Sequence, residues 1–157
     1  ALSINRAASA IDRRIYITVA SMLAYGTALE GSGAASLIVN WFLSIASNLS
    51  PASILTILFI IVTIFTNFLT NNASVIVFMP IAINTAQALG LDPTPFVVSI
   101  ILAANISFAT PFGYQTNLLI MTPGQYKFSD YLRGGIPLTI ISWITFFLFI
   151  PKYYGLL

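Results

Sequence analysis

Apolar runs long enough to enter or cross a membrane occupy most of this chain, and short polar segments separate them. A hydrocarbon core about 30 Å thick needs roughly 20 apolar helical residues. Runs at 15–29, 53–69, 73–89, 96–121 and 136–154 approach or exceed that length. We therefore predict a helix in each run, with a first span at 15–29 and a last span at 136–154.

A sixth apolar segment, 34–49, carries polar residues along one face. Asn40, Ser44 and Ser47 recur at helical spacing, and Trp41 is a residue type enriched at membrane interfaces. Two interpretations stay open for this segment: a helix that lies along the membrane surface, or a short buried span.

Two polar segments connect the later runs. Gly90 and the proline-rich residues 92–95 predict a turn, and residues 122–135 predict a polar loop. If 34–49 lies on the surface and 53–89 enters and leaves on one face, three segments cross the membrane. The basic residues of the N-terminus and of the loop then share one side, as the positive-inside rule prefers.

Composition decides the class of protein. Of 157 residues, 58% are apolar and only 6% are charged, whereas a soluble domain carries about 25% charged residues. These values exclude a soluble domain and indicate an all-α, multi-pass integral membrane protein of the plasma or inner membrane. The chain begins with Ala1 and not Met, and residues 1–11 do not show the apolar core of a signal peptide, so we expect the chain to be the C-terminal part of something longer.

The residue types that are missing exclude several kinds of function. The sequence has no His and no Cys, so it offers no disulfide, no thiolate or imidazole metal site and no Cys or Ser-His nucleophile. Its net charge of +2 is small and dispersed, which does not suggest nucleic-acid binding. We predict that the protein is not an enzyme and has no organic cofactor.

Polar residues interrupt the apolar sequence at two places. A stripe with spacings of three and four residues leads into the first break, and its members are Thr63, Thr66, Asn67, Thr70, Asn71 and Ser74. The second break, 109–117, comes near the middle of the longest apolar run. Non-helical backbone at membrane depth survives only when it is buried in protein or lines a wet cavity. The two breaks therefore predict one shared site.

The first chemical expectation for that site is an anion. A helix starting at Ala73 presents free N–H groups toward the break, and Asn71 or Asn72 can cap it. A second helix restarting near Gln115 presents another such end. Two partial positive ends suit an anion without any Arg or Lys.

The second expectation is a cation. Pro111 cannot donate a hydrogen bond and disturbs the helix before it, which leaves carbonyl oxygens near Ala109 and Thr110 free. Such oxygens suit a hard cation such as Na⁺. Discontinuous helices that bind an anion and a cation together are typical of secondary transporters.

Each feature also has an ordinary structural interpretation. Pro111 with Gly113 can be a simple kink, and Asn71-Asn72 can be a surface turn between two full spans. Hydroxyl groups in a stripe often join neighbouring helices. The hypothesis of a site depends on the two breaks occurring together.

The motifs at these breaks resemble those of a known family, the divalent anion:sodium symporters. Residues 70–74 (TNNAS), followed by 78–81 (FMPI), resemble the Ser-Asn-Thr hairpin motif of that family. Residues 109–111 (ATP), followed by Asn117, resemble its broken helix, and 121–131 resemble the next loop of bacterial and algal members. The resemblance covers nearly the whole chain, as the second of two inverted repeats.

The resemblance implies a single membrane domain, 1–157, with a re-entrant hairpin at 53–89 and a broken helix at 96–121. It implies an elevator-type, sodium-coupled carrier of sulfate, a dicarboxylate or citrate, which forms a homodimer in membrane lipid and has a first repeat outside this chain. The implied substrate-binding residues are Asn71, Asn72, Thr110, Gly113 and Asn117. The implied Na⁺ ligands are Thr70, Asn71, Ala109, Thr110 and Pro111.

The motifs depart from the family pattern at two places. Asn72 offers an amide where a hydroxyl is usual, and 113–117 differ from the Pro-Pro-Asn form of dicarboxylate carriers, so sulfate or another oxyanion fits equally well.

Two other functions stay open. Proton coupling needs an ionisable group within the membrane, whereas the four acidic residues lie at segment ends or in loops. A non-transporting scaffold subunit would use the stripe only for helix packing.

Overall fold

The structure is a computed structural model that describes residues 31–45 and 49–156, with scattered positions between 17 and 28. Within these residues every regular element is an α-helix, which confirms the all-helical fold class. The helices are α1 (Ala34–Ile45), α2 (Pro51–Thr66), α3 (Asn71–Ala88), α4 (Thr94–Ala104), α5 (Gln115–Met121) and α6 (Phe128–Tyr153). The first predicted span, 15–29, lies for the most part outside the described residues.

Helices α2 and α3 begin at hydroxyl caps. Ser50 precedes α2 and accepts a hydrogen bond from the Ser53 N–H at 3.4 Å, and Thr70 accepts one from the Ala73 N–H at 3.3 Å. The expectation that Asn71 or Asn72 caps a helix starting at Ala73 is therefore wrong. Thr70 has the extended backbone of a cap, with φ −69° and ψ 153°, and both asparagines lie in the first turn of α3.

The core forms where α2, α3 and α4 pack against one another. Its largest fully buried side chains are Phe59, Phe96, Leu55 and Ile100. Helix α1 packs on α3, and α6 packs on α2, where the rings of Phe146 and Phe59 stack with centroids 3.6 Å apart. The core therefore holds the break between α2 and α3 beside the break that follows α4.

Helix α1 covers the first part of the segment 34–49. Val39 is buried, while Asn40 and Ser44 are exposed. Leu37 and Trp41 are exposed as well, so the two polar residues lie on an exposed side that also carries apolar residues. Residues 46–48 lie outside the described part of the chain.

Helix α6 starts eight residues earlier than the predicted last span, so the expected polar loop over 122–135 is too long. The Asp130 carboxylate accepts a hydrogen bond from the Lys127 N–H at 2.8 Å, which stabilises a helix start within that polar stretch. By length and composition, α6 is the one helix of the described residues that could cross a membrane. Helices α2 and α4 are apolar but shorter.

Candidate functional site

The two predicted breaks lie against each other in the structure. The first is the hairpin tip, 67–70, between α2 and α3, which lies earlier than the predicted break because Asn71 and Asn72 are helical. The second is the loop, 105–114, between α4 and α5, which begins and ends earlier than the predicted 109–117 because α4 ends at Ala104 and α5 starts at Gln115. Asn67 of the tip accepts a hydrogen bond from the Ala109 N–H through Oδ1 at 2.9 Å. Its Nδ2 donates to the Ile106 carbonyl oxygen at 3.2 Å, and its own carbonyl oxygen accepts from the Thr110 hydroxyl. One buried asparagine therefore binds three residues of the loop.

Two further contacts bring the ends of the loop onto α2. The Thr66 hydroxyl donates to the carbonyl oxygen of Ala104, the last residue of α4, at 2.8 Å. Gly113 lies so close to α2 that a Cβ atom there would be 2.5 Å from the Thr66 carbonyl oxygen and 2.7 Å from the Ser107 Cβ. Only glycine allows this approach.

Asn71 joins the start of α3 to both ends of the loop. Its amide is assigned with the nitrogen toward the loop, because an oxygen in that position would face mainly acceptors. Nδ2 then donates to the carbonyl oxygens of Gly113 at 2.9 Å and Ala104 at 3.0 Å, and lies 3.1 Å from the Ser107 hydroxyl. The Thr66 hydroxyl oxygen lies 3.2 Å from the same atom. Four oxygens thus surround one atom of this side chain.

Asn117, in the first turn of α5, forms hydrogen bonds to the loop backbone from the α5 side. Its Nδ2 donates to the carbonyl oxygens of Ser107 at 3.0 Å and Thr110 at 3.2 Å. Both amide hydrogens are used in these bonds, which leaves Oδ1 to accept from a ligand. The Thr110 carbonyl oxygen, which we expected to be free, accepts this hydrogen bond from Asn117 and keeps a second lone pair for another partner.

Two adjoining cavities open beside Asn71, and Asn71, Asn105 and Tyr114 line both. The first measures about 300 Å³ and is lined by Thr70, Asn71, Asn72, Asn105, Gly113, Tyr114 and Gln115. The second measures about 370 Å³ and is lined by Asn71, Asn105, Ser107, Phe108, Tyr114 and Asn117. These linings contain amides, hydroxyls and backbone groups, and no charged side chain of the described residues.

A third cavity, of about 280 Å³, lies between α6 and the tip and loop. Ala109 and Thr110 line it together with Asn67, Thr139 and Trp143. The Thr139 hydroxyl and the Trp143 indole N–H are buried without a hydrogen-bond partner in the described part of the chain.

The predicted site residues are therefore only partly brought together. Thr70, Asn71, Asn72 and Gly113 line one cavity, and Asn117 lines the adjoining one. Ala109 and Thr110 line the cavity at α6, and Pro111 is fully buried.

Several residues of this region are absent from the predicted site. Asn67 belonged to the polar stripe, but nothing in the stripe distinguishes it from its neighbours. Asn105, Tyr114 and Gln115 flank the second break, and their only signal in the sequence is a polar residue next to a helix end.

The electrostatics differ at the two helix starts. Helix α3 has 18 residues, and its partial positive end faces the 300 Å³ cavity. Helix α5 restarts at Gln115, as predicted, but has only seven residues, so we assign it little of this effect. Within the described residues, no group of three or more acidic, His or Cys side chains could hold a metal ion.

Discontinuous helices that meet at one polar site are typical of secondary transporters. The family model described as citrate transporter matches residues 1–156. The chain belongs to this family, and its resemblance to the divalent anion:sodium symporters is confirmed. The family also identifies a membrane protein.

Individual relatives agree with this assignment. The chain is 36% identical to an uncharacterised transporter of Synechocystis sp. over 93% of its length, which is 24% of that protein. It is 34% identical to sodium/sulfate cotransporter 2 of Chlamydomonas reinhardtii over 88% of its length, 16% of the relative. It is 32% identical to solute carrier family 13 member 2 of Mus musculus over 79% of its length, 22% of the relative. The chain thus spans about a quarter or less of each of these curated relatives.

Proposed function

We propose that this chain forms one half of the transport site of a sodium-coupled carrier for a small divalent anion. The observation that carries the proposal is the pair of uncharged polar cavities beside Asn71, where a hairpin tip is hydrogen-bonded to a broken helix. The name of the algal relative, a sodium/sulfate cotransporter, supports sulfate as one candidate anion. A dicarboxylate or citrate is the other candidate.

The anion would bind in the 300 Å³ cavity at the start of α3. Thr70 occupies one of the free N–H groups of α3, and the helix dipole favours negative charge at this end. Asn72 is exposed at the cavity, and its amide can donate to an oxyanion. The side chains of Gln115 and Tyr114 supply donors from the opposite wall.

To reach the oxygens around Asn71, the coupling cation would displace the Asn71 Nδ2 group, which donates to two of them in this structure. Na⁺ prefers oxygen ligands, and the carbonyls of Ala104 and Gly113 with the hydroxyls of Thr66 and Ser107 are of that kind. No acidic or basic side chain of the described residues lines this region, which favours Na⁺ over a proton.

The membrane arrangement is part of the same proposal. Residues 53–89 form a re-entrant hairpin whose tip lies within the membrane, and 96–121 form the broken helix that faces it. Burial of Asn67 supports this arrangement, because this polar residue of the tip is only 6% exposed and finds its partners in the loop. A first, inverted repeat completes the site, and two copies form an elevator-type homodimer in the plasma or inner membrane.

Transport in liposomes that contain the full-length protein tests sodium coupling. Uptake of labelled sulfate or succinate should follow a Na⁺ gradient and stop when Na⁺ is removed at fixed pH. Uptake that persists without Na⁺ and follows a pH gradient would instead establish proton coupling. Absence of uptake for every anion tested would support a scaffold subunit.

Asn72→Ala tests the anion site. We expect a rise of about tenfold to a hundredfold in the anion KM, since one hydrogen bond to a charged ligand is worth roughly 1.5–3 kcal/mol. The melting temperature should stay that of the parent, because Asn72 is exposed. Asn84→Ala is the matched control on α3, since Asn84 donates to Pro80 within its own helix. Equal KM values in the two variants would remove Asn72 from the site.

A further inference from the structure

The start of helix α6 contacts both sides of the loop. The Tyr131 hydroxyl donates to the carbonyl oxygen of Asn117 at 2.7 Å. Gly135 lies one turn further along the same face, against the backbone of Phe108 and Ala109. A Cβ atom at Gly135 would overlap the Phe108 carbonyl group and lie 2.6 Å from the Ala109 Cα. Helix α6 therefore touches the loop backbone directly and holds α5 through a hydrogen bond.

Both contacts reach residues that fix the loop against the hairpin tip. Ala109 donates its N–H to Asn67 of the tip, so this stretch of loop backbone is held between the tip and α6. Asn117 spans the loop from the other side, because its amide donates to the carbonyl oxygens of Ser107 and Thr110. A shift of α6 would consequently move the loop relative to the tip.

We propose that Tyr131 and Gly135 are positioning residues that set the separation of loop and tip, and through it the affinity of the half-site for Na⁺. Neither residue lines the cavities beside Asn71. Both line a separate cavity of about 270 Å³ together with Asn117, so their effect on a ligand beside Asn71 would pass through the loop. The effect on Na⁺ affinity rests on the proposed function. The effect on the position of the loop does not, because hydrogen exchange measures it without transport.

Two neighbouring glycines give a matched test in the full-length protein. A Cβ atom at Gly135 would meet the loop, whereas at Gly134 it would meet open space. Gly135→Ala should raise the Na⁺ concentration for half-maximal uptake by about tenfold or more, the usual effect of disturbing the support of an ion site. The maximal rate at saturating Na⁺ should stay close to that of the parent. Gly134→Ala should match the parent in both respects.

Hydrogen exchange provides the structural readout. The amides at 108–110 should exchange faster in Gly135→Ala than in Gly134→Ala, while those in the second half of α3 stay unchanged. Tyr131→Phe removes only the hydroxyl and decides the question if Gly135→Ala does not fold. We expect this variant to raise the half-maximal Na⁺ concentration by about threefold to tenfold, the range for one lost hydrogen bond.

Each outcome separates positioning from the alternatives. Loss of folded protein with an unchanged half-maximal Na⁺ concentration would indicate a purely structural role and overturn the proposal. Equal exchange at 108–110 in Gly135→Ala, Gly134→Ala and the parent would also overturn it. If the parent shows no sodium-driven uptake, the proposed function fails, and the exchange comparison alone decides whether α6 positions the loop.

Discussion

The hairpin tip and the loop are both breaks in apolar helices, but their backbone groups are satisfied in different ways. The tip satisfies its own N–H groups locally, since Phe68 and Leu69 donate to the Phe65 carbonyl oxygen at 3.0 and 2.8 Å. The loop depends on side chains from elsewhere, chiefly the amides of Asn67 and Asn117. The tip is thus a turn with local backbone hydrogen bonds. The conformation of the loop depends on side chains outside it, and one of them, Asn67, belongs to the tip.

The largest loss of stability should follow from removing the Asn67 side chain, which joins the tip to the loop. Asn67→Ala removes bonds to Ala109, Ile106 and Thr63, and it leaves buried backbone groups of the loop without partners. We expect a loss of about 2–4 kcal/mol in the free energy of unfolding, since each unsatisfied buried group costs roughly 1–3 kcal/mol. Unfolding of the full-length protein in micelles measures the loss.

Asn84→Ala is again the control for this measurement. Asn84 is half-buried and donates only to Pro80 of its own helix in the described structure, so its removal should cost less than about 1 kcal/mol. Equal losses for the two variants would mean that the loop does not depend on the tip.

Much of the fold was predictable because it depends on local pattern. The apolar runs gave the helical class, and the proline and asparagine positions gave both breaks and the restart at Gln115. The start of α6 was not predicted, since residues 128–135 are too polar and glycine-rich to resemble an apolar span. A helix forms there because Asp130 caps it and Gly135 allows close packing on the loop.

The site was less predictable because its partners are distant in sequence. Asn67 binds residues 39 to 43 positions away, and spacing along α2 cannot show which polar residue of the stripe meets the loop. The likeness to a known motif marked two breaks that the structure brings into contact, but it could not assign the cap to Thr70. The sequence pattern thus predicts that the two breaks lie close together, whereas tertiary packing determines which of their atoms are in contact.

A smaller loss in the free energy of unfolding is expected when a buried hydroxyl with a hydrogen-bond partner is removed than when Asn67 is removed, and removal of a buried hydroxyl without a partner should cost still less. Thr66 donates to Ala104 across the two breaks, whereas Thr139 has no partner in the described residues. Thr66→Val should cost about 0.5–1.5 kcal/mol, the net worth of one hydrogen bond, since Asn71 still donates to the Ala104 carbonyl oxygen. Thr139→Val should be near neutral in the same unfolding measurement. An equal cost at Thr139 would show that the full-length protein supplies it with a partner.

The smallest change in stability is expected at the exposed turn 89–93, which serves as a baseline for the two breaks. Asp92 accepts hydrogen bonds from the Thr94 N–H at 2.9 Å and from the Thr94 hydroxyl at 2.8 Å. The backbone bond first, and then the hydroxyl, lower the pKa of the Asp92 carboxyl, while the slight desolvation opposes them. Because the pKa is lower in the folded state, the stabilisation is fully present above the pKa of the unfolded chain. It is lost as the pH falls through the folded value.

Asp92→Ala should therefore lower the melting temperature slightly at neutral pH, and the difference from the parent should shrink on acidification through the range below the usual pKa of an aspartate. Thr94→Ala keeps the backbone bond and should give a smaller decrease. A difference that stays constant at low pH would show that the carboxylate charge has no part in the turn. The effect should remain far below that of Asn67→Ala, because water can replace the partners of an exposed turn, whereas Asn67 and its loop partners Ile106 and Thr110 are buried.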